Sequence, residues 1–189
     1  MQRIFLVGYM GAGKTTLGEA LAAKLALTFI DLDHFIEARQ HKTVSQIFAS
    51  EGETGFRELE RKALAEVAQY EDVVVALGGG TPCFFDNMDV IRAAGLVMWL
   101  RPTEDVLIRR LMAGRSKRPI LAGIESEEEM RTFVRKQMAQ REPFYRRAQI
   151  LLGSSHLESR KEIASTVQKV CSALQRGSEK LPETTTQTI

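Results

Sequence analysis

Cysteine is scarce in this 189-residue chain: there are two, Cys83 and Cys171, which give neither a metal-ligand spacing nor a disulfide framework. The three histidines, His34, His41 and His156, are scattered. No apolar run approaches the roughly 20 residues of a membrane span. Met1 leads straight into a strand-like run without a signal-peptide pattern. The net charge of +2 is too small to argue for a nucleic-acid or membrane partner. Asparagine occurs once, at Asn87, and Met88 follows it, so the Asn-Lys-x-Asp signature of guanine-dependent switches is impossible. These absences leave a cytoplasmic enzyme as the expectation, with no nucleic-acid or membrane partner. The length fits one domain with a substantial core and leaves no room for a separate effector or DNA-binding domain.

What is present begins with Gly8–Thr16, which fits G-x-x-x-x-G-K-[ST] through Gly8, Gly13, Lys14 and Thr15. The preceding run Ile4-Phe5-Leu6-Val7 reads as a buried strand, and Leu17–Leu25 reads as the following helix. Glycines at 8, 11 and 13 let backbone N–H groups approach an anion, and the helix N-terminus favours negative charge there. Lys14 supplies a mobile cation near the transferring phosphate, and the Thr15 hydroxyl is a candidate Mg²⁺ ligand. The loop therefore predicts a nucleoside triphosphate with magnesium.

Further strand-like runs lie near Thr28–Asp31, Asp72–Leu77, Gly95–Leu100 and Ala148–Leu152, separated by helical segments. This alternation predicts an α/β fold with a parallel, helix-covered sheet. Two regions break it. From His34 to Tyr70 the pattern is helical throughout, with a Thr43/Gln46 capping box and a longer helix over Glu53–Ala68. From Met112 to Glu125 the chain is basic and glycine-containing, bounded by a helix near Thr103–Leu111 and another opening at the Ser126/Glu129 capping box; this is a candidate lid. The segment 177–189 reads as a poorly ordered tail without function.

A P-loop metal generally takes an aspartate at the end of a neighbouring strand. The third strand offers none, whereas the second ends Asp31-Leu32-Asp33. Residues two apart in an extended segment point the same way. Asp31 then serves the metal and Asp33 the second substrate, with a helix N-cap as the alternative for either. Gly78-Gly79-Gly80 after the third strand lets a substrate lie against backbone. Arg57 is a candidate clamp for a carboxylate or phosphate; its alternative is a solvated charge paired with Glu53 or Glu60. His34 reads as a surface or packing residue, and Cys83 as a small buried residue near the glycine run.

Gly8–Thr16, Asp31-x-Asp33, Phe56-Arg57-x-x-Glu60, Gly78-Gly79-Gly80, Arg118-Pro119-Ile120-Leu121 and Arg141-x-x-x-Tyr145 together resemble the motifs of the bacterial and plant shikimate kinases, in the same order. The resemblance spans about Arg3 to Leu174. It implies a three-layer P-loop kinase fold with a five-stranded parallel sheet in the order 2-3-1-4-5, one domain over 1–176, an acceptor-binding insertion at about 32–61 and a lid at about 112–125. It implies ATP and shikimate as substrates, Mg²⁺ held at Thr15 and Asp31, a monomer, and phosphorylation of the shikimate 3-hydroxyl. ATP would be bound by Gly11, Ala12, Gly13, Lys14, Thr15, Thr16, Arg110 and Arg118. Asp33, Arg57, Gly79, Gly80 and Arg141 would bind shikimate, with Lys14, Asp33 and Arg118 catalytic. Arg110 looks like the arginine that packs on adenine, with Arg109 or Arg115 as alternatives. Within enzymes, a gluconate or nucleoside-monophosphate kinase is the rival reading; outside them, a nucleotide-binding regulator without turnover.

Overall fold

Alternation of apolar residues along the first strand sets the layers of the molecule. The computed structural model describes residues 2–177 and 187–188. In β1 (Arg3–Val7), Ile4 and Leu6 face one apolar cluster while Phe5 and Val7 face the other, and all four are fully buried. Successive side chains of a strand point to opposite faces, so a strand apolar at every position must be covered on both. One layer is built from α1 (Lys14–Leu25) and α7 (Arg160–Gly177). The other contains α2 (Leu32–Gln40), α3 (Val44–Val67) and α4 (Asn87–Ala94).

The strands β2 (Thr28–Asp31), β3 (Val73–Ala76), β1, β4 (Leu96–Arg101) and β5 (Ile150–Gly153) run parallel in the order β2-β3-β1-β4-β5, as expected. A two-residue strand, β6 (Gln187–Thr188), adds to that sheet, pairing in parallel with Ile150 and Leu151 at its edge. The edge of β5 offers unpaired N–H and C=O groups, which any extended segment can use. The rest of the predicted tail beyond Gly177 lies outside the described residues.

The insertion between β2 and β3 is helical throughout, and α3 breaks at Gly52, where φ is 68° and ψ is −174°. Both predicted capping boxes are present: Thr43 with Gln46 opens α3, and Ser126 with Glu129 opens α6 (Glu127–Tyr145). The segment expected to form a lid, 112–125, follows α5 (Glu104–Ala113) and contains two single 3₁₀ turns, at Arg115–Lys117 and Pro119–Leu121. Its base is packed by a third apolar cluster of Tyr9, Leu107, Ile108, Leu111, Leu121, Met130 and Val134. No helix among the described residues is long and apolar enough to cross a membrane.

Candidate active site

The glycine-rich loop leaves β1 at the carboxyl end of the sheet, where open α/β sheets present their ligands. A Cβ at Gly8 would lie 2.5 Å from the Leu100 carbonyl oxygen, and one at Gly13 would lie 2.5 Å from Leu157 Cδ1. Both residues also have positive φ, 142° and 96°, so only glycine satisfies backbone and packing together. Gly13 is the N-cap of α1, leaving the first N–H groups and the positive end of that helix facing a cleft of about 350 Å³. Gly11, Gly13, Lys14, Thr15 and Thr16 line this cleft. Ala12 does not: it is fully buried, and its N–H donates to the Tyr9 carbonyl at 3.1 Å.

Lys14 Nζ folds back to donate to the carbonyls of Gly8 (2.8 Å) and Tyr9 (3.0 Å). Burial lowers its pKa to about 8, against the opposing pull of Asp33 and Asp31. A phosphate beside it favours the charged form.

Thr15 Oγ1 donates to Asp31 Oδ2 at 2.9 Å. The other oxygen of Asp31 accepts from the N–H groups of Asp33 (3.1 Å) and His34 (3.4 Å), which caps α2. Asp31 is therefore the N-cap of α2 through one oxygen, while its other oxygen bonds the glycine-rich loop at Thr15. No cluster of three or more His, Cys, Asp or Glu suited to a metal occurs among the described residues. A hydroxyl and one carboxylate are nevertheless the donor set expected for a magnesium ion whose other ligands are phosphates and water.

A second cleft, of about 690 Å³, adjoins the first. Asp33, Arg57, Gly78, Gly79, Gly80 and Arg141 line it, so the acceptor residues expected from four separate stretches of the chain converge. Burial, then the neighbouring Glu60 and Asp31, raises the Asp33 pKa to about 6 in spite of Lys14. A carboxyl with that pKa is matched to accepting a proton near neutrality.

Arg57 is 12% exposed along its side chain and pairs with Glu60 (2.5 Å) and Glu53 (3.1 Å). It is thus ion-paired, as its alternative reading required, and yet it lines the cleft. Its Nε is buried with no hydrogen-bond partner among the described residues, and its guanidinium lies 4.1 Å from the Phe84 ring centroid. Glu60 is 1% exposed and also accepts from the Thr81 hydroxyl, while Asn87 donates to the Thr81 carbonyl at 2.9 Å. A Cβ at Gly80 would come within 2.9 Å of Arg57 Nη2, so the backbone there lies directly on the guanidinium.

Arg141 approaches from α6, donating to Gln137 at 2.8 Å, with its guanidinium 5.1 Å from the Tyr9 ring centroid. The Tyr145 hydroxyl donates to the Gly79 carbonyl, which fixes the glycine run against α6. Cys83 stands near both arginines, but burial pushes its thiol up to about 11.

Arg118 lines both clefts, and its Nη1 donates to the Gly114 carbonyl at 2.8 Å. Arg110 lines the nucleotide cleft, where it is held by Glu158 (2.9 Å) and by the carbonyls of Gly11 (3.3 Å), Ser154 (3.0 Å) and Ser155 (3.2 Å). Of its two alternatives, Arg109 is an exposed partner of Glu158 and Arg115 bonds the carbonyls of Ile124 and Glu125; neither lines that cleft.

Sequence reasoning missed the buried Glu60–Thr81–Asn87 connection behind Arg57 and gave Tyr9 no role. It also left His34 outside the site, whereas His34 is exposed on the wall of the acceptor cleft together with Glu37. The available signals were the i,i+3 spacing of Arg57 and Glu60 and the solitary Asn87.

A family model described as shikimate kinase matches residues 10–172. The shikimate kinase of Phocaeicola vulgatus is 53% identical over 167 residues, covering 88% of this chain and 95% of its own. The crystal structure of the shikimate kinase from Bacteroides thetaiotaomicron matches with a TM-score of 0.88 at 49% identity, over 92% of this chain and 98% of that one. The shikimate kinase from Acinetobacter baumannii, solved in complex with shikimate, matches with a TM-score of 0.82 at 31% identity, over 95% and 96% of the two chains.

Proposed function

The chain belongs to the shikimate kinase family, and from that premise we propose how its residues carry out the family's reaction. That reaction is the ATP-dependent phosphorylation of the shikimate 3-hydroxyl, giving shikimate 3-phosphate and ADP in aromatic amino-acid biosynthesis. The observation that carries the assignment of roles is the pair of adjoining clefts with Arg118 on the wall of both.

In this reading Gly11, Gly13, Lys14, Thr15 and Thr16 hold the phosphates of ATP. Arg110 braces the loop beneath the nucleotide and presents its face to adenine. Arg57 and Arg141 clamp the shikimate carboxylate, because two guanidinium forks fix a small anionic ring in line with the donor. Gly79 and Gly80 let that ring lie against backbone. Asp33 accepts the proton of the 3-hydroxyl as its oxygen forms a bond to the γ-phosphorus. The bond from that phosphorus to the bridging oxygen breaks, and ADP leaves with the electron pair. Lys14 and Arg118 stabilise the charge that develops on the transferring group. A divalent metal accompanies the nucleotide; we assign it as Mg²⁺ held by Thr15 and Asp31, where it would neutralise phosphate charge.

We further assign one catalytic unit over 1–176 that acts as a monomer in the cytoplasm, with 32–61 as the acceptor insertion and 112–125 as the lid. An ADP-release assay across shikimate, gluconate and nucleoside monophosphates tests the assignment. Shikimate is expected to stimulate ADP release strongly and the others weakly; no stimulation by shikimate would overturn it.

A further inference from the structure

The two arginines of the acceptor cleft are held in different ways. Arg57 is bound by the carboxylates of Glu53 and Glu60. Arg141 has no carboxylate partner among the described residues; its side chain meets the Gln137 amide oxygen, the Tyr145 hydroxyl and the face of Tyr9, 5.1 Å away. An aromatic face steadies a cation without neutralising it, because the ring carries a quadrupole and no net charge. A carboxylate in the same place would compete with an incoming carboxylate for the guanidinium.

Tyr9 is well built to act as a fixed platform. It is 2% exposed although it belongs to the glycine-rich loop, and it packs with Leu107, Leu111, Leu121 and Val134 beneath the lid. Its carbonyl accepts from Lys14 Nζ at 3.0 Å, so the same residue touches both the donor cation and the acceptor cation. Its hydroxyl is buried with no hydrogen-bond partner among the described residues, which assigns the contribution to the ring and not to the oxygen.

We propose that Tyr9 is a positioning residue that holds the Arg141 guanidinium ready for the acceptor carboxylate and ties it to the donor loop. This rests on the role given to Arg141 above. Steady-state kinetics of Tyr9→Leu, Tyr9→Met, Tyr9→Phe, Arg141→Ala and the Tyr9→Leu/Arg141→Ala double variant, each checked for folding by thermal unfolding, test it. Tyr9→Leu is expected to raise the shikimate KM about five-fold, the scale of a partly buried cation–π contact, with the ATP KM little changed. Tyr9→Phe keeps the ring and is expected to retain acceptor affinity. In the Arg141→Ala background, Tyr9→Leu should add nothing further to the shikimate KM. Tyr9→Met serves as the ring-free variant if leucine does not fold. The proposal is overturned if Arg141→Ala raises the shikimate KM while the ring-free variants leave it unchanged. It is also overturned if Tyr9→Phe weakens shikimate as much as Tyr9→Leu, or if the Tyr9→Leu effect persists without Arg141. An Arg141→Ala variant with unaltered shikimate KM would instead remove the assignment of Arg141 itself.

Discussion

At the scale of single residues, Asp33 sets function against stability. Its pKa stands at about 6, above the ordinary 3.8, because burial and the neighbouring Glu60 and Asp31 penalise its charged form. A raised folded-state pKa in a carboxyl means that the penalty is present above about pH 6 and vanishes as pH falls towards 4. The penalty amounts to at most about 3 kcal/mol. Asp33→Asn is therefore expected to abolish most turnover while raising the thermal midpoint at pH 7, with the gain shrinking at pH 4 to 5. For the unaltered enzyme, kcat/KM should fall as pH drops through about 6; a flat profile from pH 5 to 8 would remove Asp33 as the base. Arg57 behaves differently because Glu60 behind it is nearly inaccessible. Arg57→Ala is expected to raise the shikimate KM at least tenfold, leave ATP binding nearly intact, and cost about 3 kcal/mol by stranding a buried carboxylate. Equal loss of affinity for both substrates would refute its assignment to the acceptor. The motif around Arg57 was legible in the sequence, but the burial of Glu60 was not. A glutamate three residues from an arginine reads as a solvated pair, and only the return of Thr81 and Asn87 from beyond β3 covers it.

The starts of two helices were legible because their causes are local. Thr43 and Ser126 each bond an N–H three residues on, and Gln46 and Glu129 bond back, so the box is written within four consecutive residues. The longer helix expected from Glu53 begins directly after Gly52, the residue that adopts φ 68°. Gly52→Ala introduces no clash, since nothing lies within 4 Å of its built Cβ. It still places a side chain at positive φ with extended ψ, a combination taken almost only by glycine, at a cost of about 1–3 kcal/mol. A fall in Tm of roughly 2–4 °C for each kcal/mol is expected for a chain of this size. A rise would show that α3 straightens and that the break is not fixed by the surrounding packing. The pairing of Gln187–Thr188 with β5 could not be read from the chain, since no local pattern links that segment to a strand edge more than 30 residues before it. The Asp31 cap was legible only as one of two alternatives, because residue type alone does not say which oxygen faces which partner.

For the whole molecule, the two clefts are useful only if they are closed together. The acceptor residues are carried by α2, α3, the glycine run after β3, and α6, while the donor residues lie on the loop before α1. These are separate stretches of sequence, and parallel topology gathers them because every β-strand delivers its following loop to the same edge of the sheet. The lid meets both clefts, as does the glycine-rich loop, whose Met10 lines the acceptor cleft and whose Gly11 and Gly13 line the other. Arg118 lines each of them, and Ile120, 55% exposed, stands on the wall of the acceptor cleft. An exposed isoleucine on a cleft wall gains from being covered, and a guanidinium that donates to its own loop carbonyl can exchange that acceptor for phosphate oxygens, a stronger charge-assisted partner. Each substrate alone satisfies only one side of the lid. Hydrogen exchange over 112–125 is therefore expected to slow most with Mg²⁺, ATP analogue and shikimate present together, and less with either substrate singly. Exchange that stays unchanged in the ternary complex would mean that the segment does not close. Arg118 would then have to reach the phosphates from its present hydrogen bond to Gly114.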